Sequence, residues 1–97
     1  MQKLAIQDEL TIYTAGARKK ALLDFLQDGD DLEIDLAEVA EIDTAGLQLL
    51  ILLKREATLA GKTLRLVMHS KAVLEILELA NLTTAFGDPV ILAHREE

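Results

Sequence analysis

The sequence predicts an α/β fold: a mixed, mostly parallel sheet of about five strands packed with α-helices. Three observations carry this. Leu32, Ile34 and Leu36 alternate with Glu33 and Asp35, the period of a strand with one wetter face. From Leu47 the apolar spacing becomes helical and runs to Ala60, where Gly61 follows. Strand and helix signals then keep alternating, which gives parallel strands joined by crossovers.

In order, Leu4, Ala5 and Ile6 are read as a first edge strand, and Asp8 and Glu9 as a turn. Leu10 to Tyr13 is read as a second strand, paired with the first in a tight hairpin. Thr14 is placed to cap a helix from about Ala15 to Gln27. Its inner face is Ala21, Leu22, Phe25 and Leu26, with Arg18, Lys19 and Lys20 outside. Asp28-Gly29-Asp30 is a turn.

The central stretch, Leu32 to Ala60, reads as a strand, a short acidic loop and a long helix opening at Asp43-Thr44-Ala45-Gly46. Acidic residues are poor strand formers, so burial of the three aliphatics must hold the strand. Leu49, Leu50, Leu53, Ala57 and Ala60 fall on one helix face, assigned to the core. Gly61 suits the left-handed position that ends a helix. Thr44, Gln48, Ile51 and Arg55 form a stripe on the other face. Ile51 lies within it, and Leu47 and Leu52 flank it; either a partner or the rest of the chain covers these aliphatics. A strand from Leu64 to Met68 follows. Ser70 is a good N-cap for a helix from Lys71 to about Ala80, with Val73, Leu74, Leu77 and Ala80 inward. Leu82 to Phe86 is a loop or short helical turn. Val90-Ile91-Leu92 is the last strand, which Pro89 suits.

Length and composition narrow the function. A chain of 97 residues is expected to be a single domain spanning 1–97. It buries roughly 60–65% of its unfolded surface. With Tyr13, Phe25 and Phe86 the only aromatics, the core must be aliphatic. The net charge is −7, and nine acids between Asp24 and Asp43 have no Lys or Arg among them. The charge therefore argues against nucleic acid and anionic membrane surfaces as partners; a solvated acidic edge or a basic protein partner fits better. The absence of cysteine removes disulfides, thiol nucleophiles and thiolate metal sites. MQKLAIQDEL does not read as a signal peptide, and the longest apolar run, Leu49 to Leu53, falls far short of the ~20 residues needed to span a bilayer. A cytoplasmic location is expected.

Few residues carry chemistry. His69 lies between a strand and a helix, on the sheet edge that also holds Asp43 and Thr44. It and His94 lack metal-ligand spacing, and neither shows a role. The glycines form no nucleotide cradle, and Ser70, the only serine, lies in no nucleophile elbow. Neither cofactor nor metal is expected, nor enzymatic activity. Thr44 remains. Its bland role is an N-cap worth roughly 1 kcal/mol, which Asp43 could take instead. Its functional role is as a phosphate acceptor at the positive end of a helix, opposed by Asp43, Glu41 and Glu38.

The segments LEIDLAEV, AEIDTAGLQLL and EATLAGKTLRLV together resemble the STAS domain, the fold of bacterial anti-sigma factor antagonists. Its central loop reads aliphatic, Asp, Ser or Thr, a small residue, Gly, aliphatic; here it is Ile42-Asp43-Thr44-Ala45-Gly46-Leu47. SKAVLEILELANLTTAF looks like the family's later helix. The resemblance implies a regulatory protein-binding module with Thr44 as phosphoacceptor. It implies a partner surface of Asp43, Thr44, Ala45, Gly46, Leu47, Gln48, Ile51 and Arg55. The implied partners are a serine/threonine kinase of the histidine-kinase-like ATPase fold and a phosphatase. Three departures stand out: threonine replaces the usual serine, the glycine turn after the second strand is missing, and the N-terminal part is short. Such variants resemble STAS proteins found beside chemotaxis and two-component genes, which implies a partner-switching or chemotaxis/two-component-associated pathway. They also resemble the small STAS subunit of lipid-transport ABC systems, where the domain supports an ATPase. An exposed first strand could further pair two copies.

Overall fold

Leu32, Ile34 and Leu36 are fully buried, while Glu33 and Asp35 between them are half-buried. Their strand is the centre of the sheet. The computed structural model describes residues 1–79. Its elements are β1 (Gln2–Leu10), α1 (Ala15–Phe25), β2 (Asp31–Ile42), α2 (Thr44–Leu59), β3 (Thr63–Val67) and α3 (Lys71–Leu79). The strand order is β1-β2-β3 and both pairings are parallel. Ile6, Leu10, Leu64 and Leu66 join the β2 aliphatics in one cluster with the inner faces of the helices. Away from that cluster, Lys3 pairs with Glu33 and Glu33 with Arg65 in register, and the Arg65 guanidinium lies 3.6 Å from the Glu33 carboxylate.

The opening hairpin does not form. Residues 2 to 10 are one strand that pairs with β2. The turn signal at Asp8 is real but local. Asp8 has φ 65°, a region aspartate enters more readily than most residues, and the register with β2 shifts between Asp8 and Glu9. Nor is there an acidic loop after Leu36: β2 continues to Ile42. It does so through irregularities opposite Ala5–Gln7 and Asp8–Glu9, which re-aim the strand. At the first, the Asp35 carboxylate accepts the Ala37 N–H at 2.8 Å. Leu10 ends the one N-terminal strand and residues 11–13 lie outside any strand, so the described residues form three strands, where about five were expected of the whole chain. The one assigned to 90–92, the turn at 82–86 and the inward Ala80 lie outside the described residues.

The helices follow their patterns with small changes. Leu22, Phe25 and Leu26 are buried, but Ala21 is exposed, because the inner face of α1 runs through Ala15, Arg18, Leu22 and Phe25. Arg18, expected outside, is half-buried and donates to the Gln7 carbonyl at 2.7 Å. Leu49, Leu50, Leu53 and Ala57 are buried. Ala60 is exposed because it caps the end of α2, and Gly61 takes φ +73°. Val73 and Leu77 are the buried residues of α3 and Leu74 is half-buried. The Ser70 hydroxyl accepts the Val73 N–H at 3.2 Å.

At the end of the sheet where β2 and β3 begin, Lys62 binds the loops together. Its ammonium donates to the carbonyls of Leu26 at 2.6 Å and Gly29 at 3.0 Å. This satisfies a carbonyl left open at the end of α1. Replacing Lys62 by Met should cost about 1.5–3 kcal/mol, the usual worth of a hydrogen bond from a charged donor; urea denaturation measures it.

Candidate functional site

At the other end of the sheet, β1 and β2 finish side by side and α2 begins. Asp43 is extended, with φ −124° and ψ −170°, and caps α2. One carboxylate oxygen accepts the Gly46 N–H at 3.1 Å. The other accepts the Ile12 N–H at 3.0 Å, 31 residues away. The Asp43 carbonyl accepts the Leu47 N–H at 2.9 Å. These donors hold the carboxyl below its ordinary 3.8, the Ile12 N–H most strongly, against a smaller opposing effect of burial.

Gly46 is buried one turn into α2. A Cβ there would fall inside the van der Waals envelope of the Leu10 carbonyl oxygen and 2.9 Å from Cγ1 of Ile42. Only glycine lets the helix start so close to the end of β1.

Thr44 is the first residue of α2 and is exposed. Of the two residues that could cap the helix, Asp43 does so. Gln48 and Arg55 are also exposed, and Ile51 is half-buried. Leu47 is 5% exposed and lies in the core, while Ile51 and Leu52 pack against it. The chain itself thus covers most of the aliphatic surface that flanks the stripe. Of the eight residues read as a partner surface, Asp43, Thr44, Ala45, Gln48, Ile51 and Arg55 retain accessible surface, and Gly46 and Leu47 are buried. Beside Gln48, a shallow hollow of about 220 Å³ opens between α1 and α2, lined by Ala15, Gly16, Lys19, Ala45 and Leu52.

The β1–α1 connection is part of this end of the molecule, which the strand reading of residues 10 to 13 missed. Residues 11 to 14 form a turn. The Thr14 hydroxyl accepts the Thr11 N–H and donates to the Glu9 carbonyl, both at 3.0 Å. Thr14 still precedes α1, but its hydroxyl serves the turn and makes no capping bond. The Thr11 hydroxyl donates to the Glu9 carboxylate. The turn leaves Ile12 68% and Tyr13 89% exposed. Two threonines three residues apart, each able to bond nearby backbone, were the available sequence signal.

His69 is 2% exposed, so it belongs to the interior at the β3–α3 junction and not to an open loop. Among the described residues no group of three His, Asp or Glu side chains is placed to hold a metal ion, and no helix is long and apolar enough to cross a membrane.

The family model described as the Mlab STAS domain matches residues 1–92. The fold is similar to the crystal structure of a candidate anti-sigma factor antagonist from Thermotoga maritima, with a TM-score of 0.74 and 24% identity. The match covers 91% of this chain and 78% of that one, and at this identity it speaks for the fold alone. No curated protein matches the chain.

Two substitutions test the junction. Gly46→Ala should destabilise the protein by about 1–3 kcal/mol, through overpacking against fixed backbone; thermal unfolding reads this as a lowered midpoint. Asp43→Asn keeps an oxygen for the cap and removes the charge. Because the native carboxyl titrates below 3.8, its charge stabilises the fold above the ordinary carboxylate range near pH 4. That advantage disappears as the pH falls through the native value. Urea midpoints of wild type and Asp43→Asn should therefore differ at pH 7 and converge toward pH 2.

Proposed function

Because the chain belongs to the STAS domain family, we propose that it is a non-enzymatic regulatory protein-binding module, akin to anti-sigma factor antagonists and switched by phosphorylation of Thr44. The observation that carries this reading is the division of labour at the start of α2. Asp43 supplies the cap, so the exposed Thr44 hydroxyl can be modified without the loss of a capping bond. A phosphate there adds about −1.5 to −2 charges at neutral pH. It meets the positive end of α2 but also the Asp43 carboxylate next in sequence. The fold can absorb it, while a partner docked on Thr44, Gln48, Ile51 and Arg55 meets new charge in its interface. The partner is a serine/threonine kinase of the histidine-kinase-like ATPase fold, and a phosphatase resets the mark. The setting is partner-switching or chemotaxis-associated signalling in the cytoplasm.

A second reading draws on the family model's description, an Mlab-type STAS domain, and on threonine standing at the acceptor position. Here the chain is a constitutive subunit that binds and stabilises the ATPase of a lipid-transport ABC system through the same α2 face.

The two readings separate experimentally. On the first, peptide mass spectrometry of protein from its own cells finds phosphate on Thr44. Thr44→Asp then weakens partner capture by at least about tenfold, or ~1.4 kcal/mol, and Thr44→Ala retains it. On the second, no phosphate appears, a transporter ATPase co-purifies, and Thr44→Ala leaves the complex intact. Equal capture by Thr44→Asp and Thr44→Ala would rule out the switch.

A further inference from the structure

A second surface lies beyond the α2 face. A groove of about 480 Å³ runs between α3 and the ends of β1 and β2. One wall is α3, where Ala72, Ile76 and Leu79 stand four and three residues apart and so form one apolar ridge. Ala72 and Ile76 are half-buried, and Leu79 is 87% exposed. Tyr13, 89% exposed, lines the groove as well. Every lining residue charged at neutral pH is acidic: Glu9, Glu41, Asp43 and Glu75. Glu41 and Glu75 are exposed.

We propose that this groove docks a basic amphipathic helix of a partner protein. The ridge on α3 takes the apolar face of such a helix, as one helix packs on another. The carboxylates on both sides fit Lys and Arg flanking that face, and they reject an acidic helix of the same shape. Leu79 and Tyr13 contribute little to the core in their exposed positions; covering them removes apolar surface from water. The site does not include Thr44, and binding there does not require its modification.

The test uses the full chain, isotopically labelled, and a synthetic Leu/Lys amphipathic peptide of about 18 residues, long enough to form a helix. A Leu/Glu peptide of the same pattern is the control. Amide shifts should centre on Tyr13, Glu41, Glu75 and Leu79, with binding weakened by salt. Glu41→Gln with Glu75→Gln should weaken binding about fivefold, and Leu79→Ser by a similar factor. Thr44→Ala should bind the peptide as wild type does, so failure of the phosphorylation reading leaves this one standing. Several results would overturn the proposal: equal binding of the Leu/Glu peptide, shifts centred on Ile51 to Arg55, or no effect of the groove variants. So would occupation of the groove in the free chain by residues 80–97 or by a second copy, seen as cross-relaxation to Leu79.

Discussion

The structure depends on one bridging carboxylate. Asp43 receives an N–H from the start of α2 and another from the turn after β1. Without it, the first turn of α2 and the exposed Ile12 amide would turn to water and no longer be tied to each other. With it, the ends of β1 and β2 and the start of α2 form one rigid corner. Gly46 is the steric half of the same arrangement, because the helix can reach the Leu10 carbonyl only where no Cβ intervenes. One residue makes the corner attractive and the other makes it geometrically accessible. The aspartate and glycine of the loop motif are thus explained by packing and hydrogen bonding before any function is considered.

This corner sits at the end of the sheet where parallel strands finish, the usual place for sites in α/β folds. The opposite end is closed by Lys62 and two carbonyls. Between the two, β2 carries many acids for a central strand. It tolerates them because Leu32, Ile34, Leu36 and Val39 lie in the core, and because Glu33 is flanked in register by Lys3 and Arg65, with Arg65 also 3.9 Å from Asp31. Where the acid density continues, at residues 37 to 42, the pairing with β1 becomes irregular. Acidic composition and bent pairing occur in the same segment that leads into Asp43.

The central strand, the long helix with its stop at Gly61 and the cap of α3 were legible in the sequence, because each rests on periodicity or on one residue with a strong backbone preference. Pairing was not legible at the N-terminus. Asp8 carries a turn signal, yet a residue with positive φ serves a tight hairpin and a bulged strand alike. Only the partner strand decides, and that partner lies about thirty residues away. The choice between Thr44 and Asp43 as cap stayed open for a similar reason. Both residues can cap, and Asp43 prevails because one position earlier it also reaches Ile12, a contact that no local pattern records. Burial of Leu47 beside an exposed Gln48 follows from where the helix meets β1, which is again set by Gly46.

The corner also links the two faces proposed for binding, with opposite sign. Asp43 precedes Thr44 and lines the groove beside α3. A phosphate on Thr44 would therefore add its charge within a Debye length, about 8–10 Å, of at least one groove carboxylate. On the α2 face that charge enters an interface formed around a neutral hydroxyl, and it weakens docking. In the groove the recognition is already of negative charge by positive, so the same phosphate deepens the attraction for a basic helix. One modification then exchanges partners instead of only releasing one. Linkage makes the effect reciprocal: a basic helix held in the groove would favour the phosphorylated form by the same free energy that phosphorylation lends to its binding.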